Sequence, residues 1–208
     1  MRERLCGVYV ITEPSLADPL ESTEQVLRGG ARLVQLRAKS ATTRQLITWG
    51  QAMRDRTRQY NALLIVNDRL DVALAIEADG VHLGQDDLPV PLARRIAGNR
   101  LLIGVSAETV EEARQAASEG ADYLGVGPMF TTVTKPDAGT PVGPARIRQI
   151  KQVVGIPVFG IGGIQPENAL QVLQAGADGI CVISAVLNTP NPEAAVRRLI
   201  ALWQATKV

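Results

Sequence analysis

The chain has 208 residues, of which 46% are hydrophobic, so it can bury a sizeable core. Its 22 Lys and Arg residues nearly balance its 21 Asp and Glu residues, and aromatic residues make up only 3%. This composition excludes the basic, ring-rich surfaces that bind nucleic acids, and no stretch has the apolar length of a membrane span. We therefore expect one cytoplasmic domain over residues 1–208 whose partners are small molecules, with no nucleic acid and no membrane.

Short β-branched runs alternate with helical patterns along the chain. They predict eight strands, at residues 7–11, 33–37, 63–67, 80–83, 102–106, 123–126, 158–161 and 179–183. Helical patterns between them, including 43–60, 109–119, 143–153 and 167–175, have capping residues at several starts. This alternation indicates an α/β fold with parallel strands, either a single (β/α)8 TIM barrel or an open doubly wound sheet.

A repeated tripeptide before every second strand favours the closed barrel. Its copies are Gly30-Ala31-Arg32, Glu77-Ala78-Asp79, Gly120-Ala121-Asp122 and Gly176-Ala177-Asp178. A unit of two strands and two helices, used four times, closes naturally into a ring, whereas an open sheet gives no reason for such regularity. In a barrel the functional site lies at the carboxyl ends of the strands, so the polar residues there are the candidates for function.

The second strand is polar on one face. Val34 and Leu36 alternate with Gln35, Arg37 and Lys39, so the polar residues are predicted to point into the mouth of the barrel. A buried arginine requires a negative partner, which is either an anionic ligand or an acidic side chain of a neighbouring strand.

The third and fourth strands both end in carboxylates. Asp68 follows the third strand and Asp87 follows the fourth, and two such oxygen ligands beside phosphate and water suit Mg2+. Alternatively, either aspartate caps the helix that follows it.

Strand parity places further residues inside the barrel. His82, the only histidine, points inward and is more typical of a hydrogen-bonded core residue than of a catalyst. Ser106 and Gly104 also face inward, where Gly104 either leaves room for a ligand or permits close packing. Cys6 and Cys181 lack metal-ligand spacing and are predicted to be reduced core thiols.

The long connection 127–140 contains four hydrogen-bond donor side chains, Thr131, Thr132, Thr134 and Lys135. Such a loop suits a phosphate or pyrophosphate, or else it is a mobile polar surface loop. After the seventh and eighth strands, Gly163 and Ser184 open segments that lead toward helices, where barrels commonly bind a phosphate. Two separate anion sites are thus predicted.

With these residues in place, the sequence resembles the thiamine phosphate synthase family along nearly its whole length. The matching stretches are residues 34–39, 67–69, 80–89, 104–106, 127–128, 132–135 and 161–164. The resemblance implies a barrel enzyme that joins 4-amino-5-hydroxymethyl-2-methylpyrimidine diphosphate to a thiazole phosphate and releases pyrophosphate with the help of Mg2+.

The resemblance also implies roles for individual residues. The pyrimidine diphosphate is expected on Gln35, Arg37, Lys39, Asn67, Ser106, Thr132, Thr134 and Lys135. The metal is expected on Asp68 and Asp87, and the thiazole phosphate on Gly163, Ile183 and Ser184. We predict direct catalytic roles for Lys135, Arg37 and Ser106.

Two positions depart from the family pattern, because Thr131 replaces a common Pro and Glu108 replaces a common His. We expect Glu108 to point outward as part of the next helix, since a carboxylate in the mouth would repel pyrophosphate. Two rival functions remain: a thiazole tautomerase on the same barrel, and a sensor that binds a phosphorylated metabolite without catalysis.

Overall fold

The computed structural model describes residues 2–132, 134 and 139–207, and its eight parallel strands form a closed barrel in sequence order. The strands are β1 (Gly7–Ile11), β2 (Leu33–Leu36), β3 (Leu63–Asn67), β4 (Gly80–Leu83), β5 (Leu102–Ala107), β6 (Tyr123–Val126), β7 (Val158–Ile161) and β8 (Gly179–Val182). Direct pairing of β1 with β8 closes the sheet. The predicted (β/α)8 barrel is confirmed.

Helices cover the outside of the barrel. They are α1 (Pro19–Arg28), α2 (Thr43–Gln59), α3 (Leu70–Ala75), α4 (Val90–Ala97), α5 (Val110–Ser118), α6 (Pro144–Lys151), α7 (Ala169–Gln174), α8 (Ser184–Leu187) and α9 (Pro192–Ala205). The predicted strand 33–37 ends one residue early because the Arg37 amide bonds the Thr12 side chain instead of the ladder. None of the helices in the described part of the chain is long and apolar enough to cross a bilayer.

Two hydrophobic layers follow from the alternation of side chains along each strand. Val34 and Leu36 belong to the larger cluster between the barrel and its helices. A smaller cluster fills the barrel itself and includes Tyr9, Tyr123 and Phe159, all fully buried. The predicted inward face of the strands is therefore correct, and it directs the polar residues of the strand ends into the mouth.

The repeated tripeptide builds the amino-terminal end of the barrel. In three copies the aspartate accepts a hydrogen bond at 2.8 Å from an amide of the preceding strand. Each of these aspartates also pairs with a cation of an outer helix, in the pairs Asp79 with Arg54, Asp122 with Arg94, and Asp178 with Lys151. The repeat thus ties every second strand to the helix before it.

The first residue of each repeat has a left-handed backbone. Gly30, Gly120 and Gly176 have φ near 100°, and Glu77 has φ of 53°. Glycine adopts this conformation without steric cost, whereas Glu77 does so at a cost of about 1 kcal/mol. The helix ends of the four units therefore share one backbone turn.

Candidate active site

A cavity of about 500 Å³ opens at the carboxyl ends of the strands. It is lined by every predicted site residue that the structure describes: Gln35, Arg37, Lys39, Asn67, Asp68, Asp87, Ser106, Thr132, Thr134, Gly163, Ile183 and Ser184. Lys135 lies outside the described residues. Residues from seven connections that are far apart in sequence therefore converge on one site.

Arg37 is held rigidly at one wall of the cavity. Its guanidinium pairs with Glu13 at 2.5 Å, and both side chains are largely buried. The Thr12 hydroxyl accepts from the Arg37 amide at 2.9 Å and donates to the Arg37 carbonyl at 3.2 Å. The predicted acidic partner is thus present in the segment after β1, and Arg37 still lines the cavity. Such clamping orients the guanidinium before any ligand arrives.

Asp68 and Asp87 face one another across the ends of β3 and β4. Burial and a hydrogen bond with Asp87 raise the pKa of Asp68 to about 6, while Lys39 and Arg37 act in the opposite direction. Asp87 also accepts a hydrogen bond from the Gly84 amide at 2.6 Å. Neither aspartate caps a helix, because α3 has Arg69 and α4 has Pro89 at its N-cap.

The Asp68 backbone has φ of 61°, a left-handed conformation that aspartate tolerates better than most residues. Its amide donates to the His82 carbonyl at 2.8 Å, which holds the turn against β4. Strain of this kind, on the order of 1 kcal/mol or more, is concentrated at functional sites. The turn directs the Asp68 carboxyl toward Asp87 instead of toward the start of α3.

The charges around the cavity favour a bound cation. Among the described lining residues two are cationic, Arg37 and Lys39, and four are carboxylates, Asp68, Asp86, Asp87 and Glu108. No group of three or more His, Cys, Asp or Glu side chains in the described ranges forms a complete metal cage. Two facing carboxylates that leave ligand positions to water and phosphate fit Mg2+, which usually retains such ligands.

The loops after β6 and β7 are joined to each other. The Met129 amide donates to the Ile161 carbonyl at 2.8 Å, and the Phe130 amide donates to the Gly162 carbonyl at 3.0 Å. A Cβ atom on Gly163 would lie 2.5 Å from the Thr131 carbonyl oxygen, which is closer than real contacts allow. Gly163 is therefore required for close packing of the two loops, in addition to any role in binding a ligand.

Two backbone amides border the cavity in the segments after β7 and β8. The amides of Gly163 and Ser184 have no acceptor within the described ranges of the chain. Both residues line the cavity, and Gly163 has φ of 65°, which exposes its amide in the turn after β7. Unpaired amides in a turn are suitable donors for phosphate oxygens.

His82 is a buried, hydrogen-bonded residue at the floor of the cavity. Its Nε2 is 3.0 Å from the Ser106 hydroxyl, and its Nδ1 is 3.1 Å from the Tyr123 hydroxyl. A Cβ atom on Gly104 would lie 2.1 Å from the Tyr123 ring, so Gly104 makes room for that ring and not for a ligand. The close-packing alternative for Gly104 is the correct one.

The two cysteines differ in burial. Cys181 is 3% exposed, and burial raises the pKa of its thiol well above the ordinary value, so the thiol stays protonated. A protonated, buried thiol is a poor nucleophile. Cys6 is free and only half-buried, so its predicted position in the core is wrong.

Glu108 faces the cavity, contrary to our expectation. The helix α5 begins only at Val110, with Thr109 as its N-cap, so Glu108 remains on the rim of the barrel. Its amide donates to Glu112, and its carboxylate lies against Gly139 at the far end of the long loop. Helix capping by Thr109 therefore fixes Glu108 in the mouth.

Two contributors escaped the sequence reasoning. Tyr9 is fully buried and lines the floor of the cavity, and Glu13 holds Arg37. The alternation of side chains along β1 could have identified Tyr9, because it places this residue inward. A tyrosine hydroxyl inside a barrel requires a hydrogen-bond partner. Nothing local marks Glu13, because its partner is 24 residues away.

Comparison with known proteins identifies the family. The family model described as thiamine monophosphate synthase matches residues 8–186. The thiamine-phosphate synthase of Chloroflexus aurantiacus is 53% identical over 203 residues, which cover 96% of this chain and 94% of that protein. That of Moorella thermoacetica is 54% identical over 195 residues, which cover 92% and 93%.

A solved structure agrees with this result. The thiamine phosphate pyrophosphorylase of Pyrococcus furiosus superimposes with a TM-score of 0.92 at 44% identity, and the match covers 98% of both chains. The family expected from the sequence motifs is confirmed. The chain therefore belongs to the thiamine monophosphate synthase family, whose enzymes form thiamine phosphate.

Proposed function

We propose that this enzyme joins 4-amino-5-hydroxymethyl-2-methylpyrimidine diphosphate to 4-methyl-5-hydroxyethylthiazole phosphate and releases pyrophosphate. The bond between the pyrimidine methylene and the diphosphate oxygen breaks, and a bond forms between the methylene and the thiazole nitrogen. The observation that carries this proposal is the convergence of charged groups and unpaired amides on one cavity.

Cationic and hydroxyl side chains after β2 and β6 hold the diphosphate. Arg37 is oriented by Glu13, Lys39 lies beside it on the edge of the mouth, and Thr132 and Thr134 add hydroxyl donors. We assign Lys135 to the same group from its place in the Thr-x-Thr-Lys sequence. Fixed positive groups stabilise the charge that develops on the leaving pyrophosphate, which is the main catalytic requirement.

Asp68 and Asp87 would hold Mg2+, which neutralises charge on the diphosphate when it is bound. The two carboxylates already face each other, and one of them is protonated more readily than an ordinary aspartate. A cation that replaces this proton relieves their mutual repulsion. The two carboxylates thus serve to recruit the ion and orient it toward the diphosphate.

The segments after β7 and β8 hold the thiazole phosphate. Gly163 and Ser184 offer backbone amides, Ser184 adds a hydroxyl, and Ile183 lines the same part of the cavity. The helix α8 has only four residues, so its dipole adds little, and the local amides must supply most of the binding. This arrangement leaves the thiazole nitrogen free to approach the pyrimidine.

Gln35, Asn67 and Ser106, which line the same cavity, hold the pyrimidine ring. An electron-rich aminopyrimidine stabilises a cation at its methylene, so loss of pyrophosphate can precede attack by the thiazole nitrogen. No enzymic nucleophile is required, and the only cavity thiol, Cys181, is kept protonated by burial.

Incubation with both substrates and Mg2+ tests the proposal. We expect thiamine phosphate and pyrophosphate in equal amounts. A tautomerase would change the thiazole phosphate alone, and a sensor would bind a ligand without any product, so either result would overturn the proposal. The expected cytoplasmic location and the single domain over residues 1–208 remain predictions.

A further inference from the structure

A continuous line of hydrogen bonds crosses the interior of the barrel along the floor of the cavity. The Gln35 Nε2 atom donates to the Tyr9 hydroxyl at 2.6 Å, and the Tyr9 and Tyr123 hydroxyls are 3.0 Å apart. From Tyr123 the line continues through both ring nitrogens of His82 to the Ser106 hydroxyl. We call this set the interior chain, and its members are Gln35, Tyr9, Tyr123, His82 and Ser106.

The middle members of the interior chain are deeply buried. Tyr9 and Tyr123 are fully buried, and His82 is 8% exposed. Gln35 and Ser106 both line the cavity, from β2 and β5 respectively. The interior chain therefore connects the cavity-lining residues of β2 and β5 through groups that are almost completely buried.

We propose that each hydrogen bond of the interior chain is donated in the same direction, from Gln35 toward Ser106. This direction holds His82 as its neutral Nε2–H tautomer and makes Ser106 a hydrogen-bond donor toward the cavity. His82 is then a positioning residue, because it acts on the substrate only through Ser106. The inference deepens the proposed function and rests on it for the identity of the bound ring.

The direction follows from the number of hydrogens that each group carries. The amide nitrogen of Gln35 cannot accept, so the single hydrogen of Tyr9 is left for Tyr123. The hydrogen of Tyr123 then goes to His82 Nδ1, which must be unprotonated. A neutral imidazole with a bare Nδ1 carries its hydrogen on Nε2 and donates it to Ser106.

Burial ensures that both phenols keep their hydrogens. It raises the pKa of Tyr9 and of Tyr123 well above the ordinary value for tyrosine. Each phenol therefore donates one hydrogen bond and accepts one throughout the working range of pH. An ionised tyrosine would have no hydrogen to pass along and would break the chain.

Nearby cations favour the orientation of the Gln35 amide in which its nitrogen faces Tyr9 and its oxygen faces the cavity. Arg37 and Lys39 follow it on the same face of the chain and line the same cavity. An amide oxygen is stabilised near cations, whereas amide hydrogens are repelled by them. The oxygen therefore turns toward the cavity and the nitrogen toward Tyr9, and a half-turn of this amide would reverse every bond in the interior chain.

The result matches the chemistry of an aminopyrimidine. Its amino group and the ring nitrogen opposite to it lie at two ends of the ring, one as a donor and the other as an acceptor. The Gln35 oxygen accepts from the amino group, and the Ser106 hydroxyl donates to the ring nitrogen. A neutral donor also avoids placing a positive charge beside a ring that must itself become cationic.

His82 is the only histidine of the chain, so every imidazole signal in an NMR spectrum belongs to it and its tautomer can be determined directly. The measurement is nitrogen-15 NMR of ring-labelled, ligand-free wild-type protein. We expect a protonated Nε2 and a bare Nδ1. A protonated Nδ1 would mean that the chain runs the other way and would overturn the proposal.

Two variants separate positioning from packing. Tyr123→Phe removes the donor to Nδ1, so the Nε2–H preference should fall and kcat/KM for the pyrimidine diphosphate should drop about 5- to 10-fold, with the thiazole phosphate KM unchanged. Phe159→Leu disturbs the same aromatic cluster without touching a hydrogen bond, since its ring lies 5.7 Å from both tyrosine rings. It should lower stability and leave the NMR pattern and kcat/KM unchanged.

Equal losses of kcat/KM in both variants, with the imidazole signals unmoved, would reduce the interior chain to a structural role and overturn the proposal. The NMR measurement needs no substrate. If the wild-type protein forms no thiamine phosphate, the proposed function fails, and the tautomer still decides the direction of the chain.

Discussion

Aspartates at the two ends of the barrel have opposite surroundings. At the amino-terminal end, Asp122 is buried, accepts from the Ile103 amide and pairs with both Arg94 and Arg2. At the carboxyl end, Asp68 faces Asp87, and its pKa is raised to about 6. At the first end the carboxylate is neutralised by ion pairs within the protein, whereas at the second two carboxylates face each other. We therefore propose that charge serves stability at the amino-terminal end and ligand binding at the carboxyl end.

The largest effect is expected at the carboxyl end. Asp68→Asn should reduce kcat/KM by about 10³-fold, because a metal ligand contributes several kcal/mol to transition-state stabilisation. Stability should be unchanged or raised, since the substitution removes one of two facing carboxylates. Steady-state kinetics and urea unfolding measure the two effects. Asp71→Asn, in the exposed first turn of the following helix, is the matched control and should keep full activity.

Substitutions of two lysines should affect activity and stability separately. Lys135→Ala should lower kcat about 10²-fold with little change in the thiazole phosphate KM, because it removes a donor to the leaving group. Lys151→Ala should leave kcat unchanged and lower stability, since Lys151 pairs with Asp178 at the other end of the barrel. Unchanged turnover in Lys135→Ala would mean that the long loop is only a polar surface loop and takes no part in catalysis.

A substitution at the amino-terminal end of the barrel should lower stability without changing activity. Asp122→Asn keeps the shape of the side chain but removes the charge between two guanidinium groups, so the free energy of unfolding should fall by about 2 kcal/mol. Urea unfolding measures this change. A clear fall in kcat at a temperature where the variant is fully folded would show that the two ends are not independent.

The smallest effect is a pH dependence at the carboxyl end. The pKa of Asp68 is raised in the folded state from an ordinary 3.8 to about 6, so the folded protein binds more protons than the unfolded chain between these values. Without metal, stability should therefore fall as the pH rises from about 4 to about 6, on the order of 1 kcal/mol after allowance for solvent exposure. Asp68→Asn should abolish this slope, and saturating Mg2+ should reverse it. A slope that survives in Asp68→Asn must come from other groups.

Much of the barrel and its mouth was predictable because both depend on local periodicity. Alternation along β2 placed Gln35 and Arg37 inward, and the ends of β3 and β4 placed Asp68 and Asp87 together. The repeat predicted closure because each copy builds the same turn and the same start of a strand.

The errors have two sources. Glu108 was expected to belong to the next helix, but Thr109 is the N-cap of α5, so Glu108 precedes the helix and lines the cavity. Gly163 was read only as a ligand contact because its packing against Thr131 joins two different loops. For the same reason, Gly163→Val is unsuitable for testing the thiazole site, since it would displace the neighbouring loop that carries Thr132.

Calorimetric titration of each substrate tests the central claim that the facing carboxylates require a divalent ion before the diphosphate can bind. For the wild type, we predict that the pyrimidine diphosphate binds with saturating Mg2+ and not in excess chelator, while the thiazole phosphate binds under both conditions. In Asp68→Asn, diphosphate binding should be lost even with Mg2+. Equally tight diphosphate binding in the presence of chelator would contradict the account.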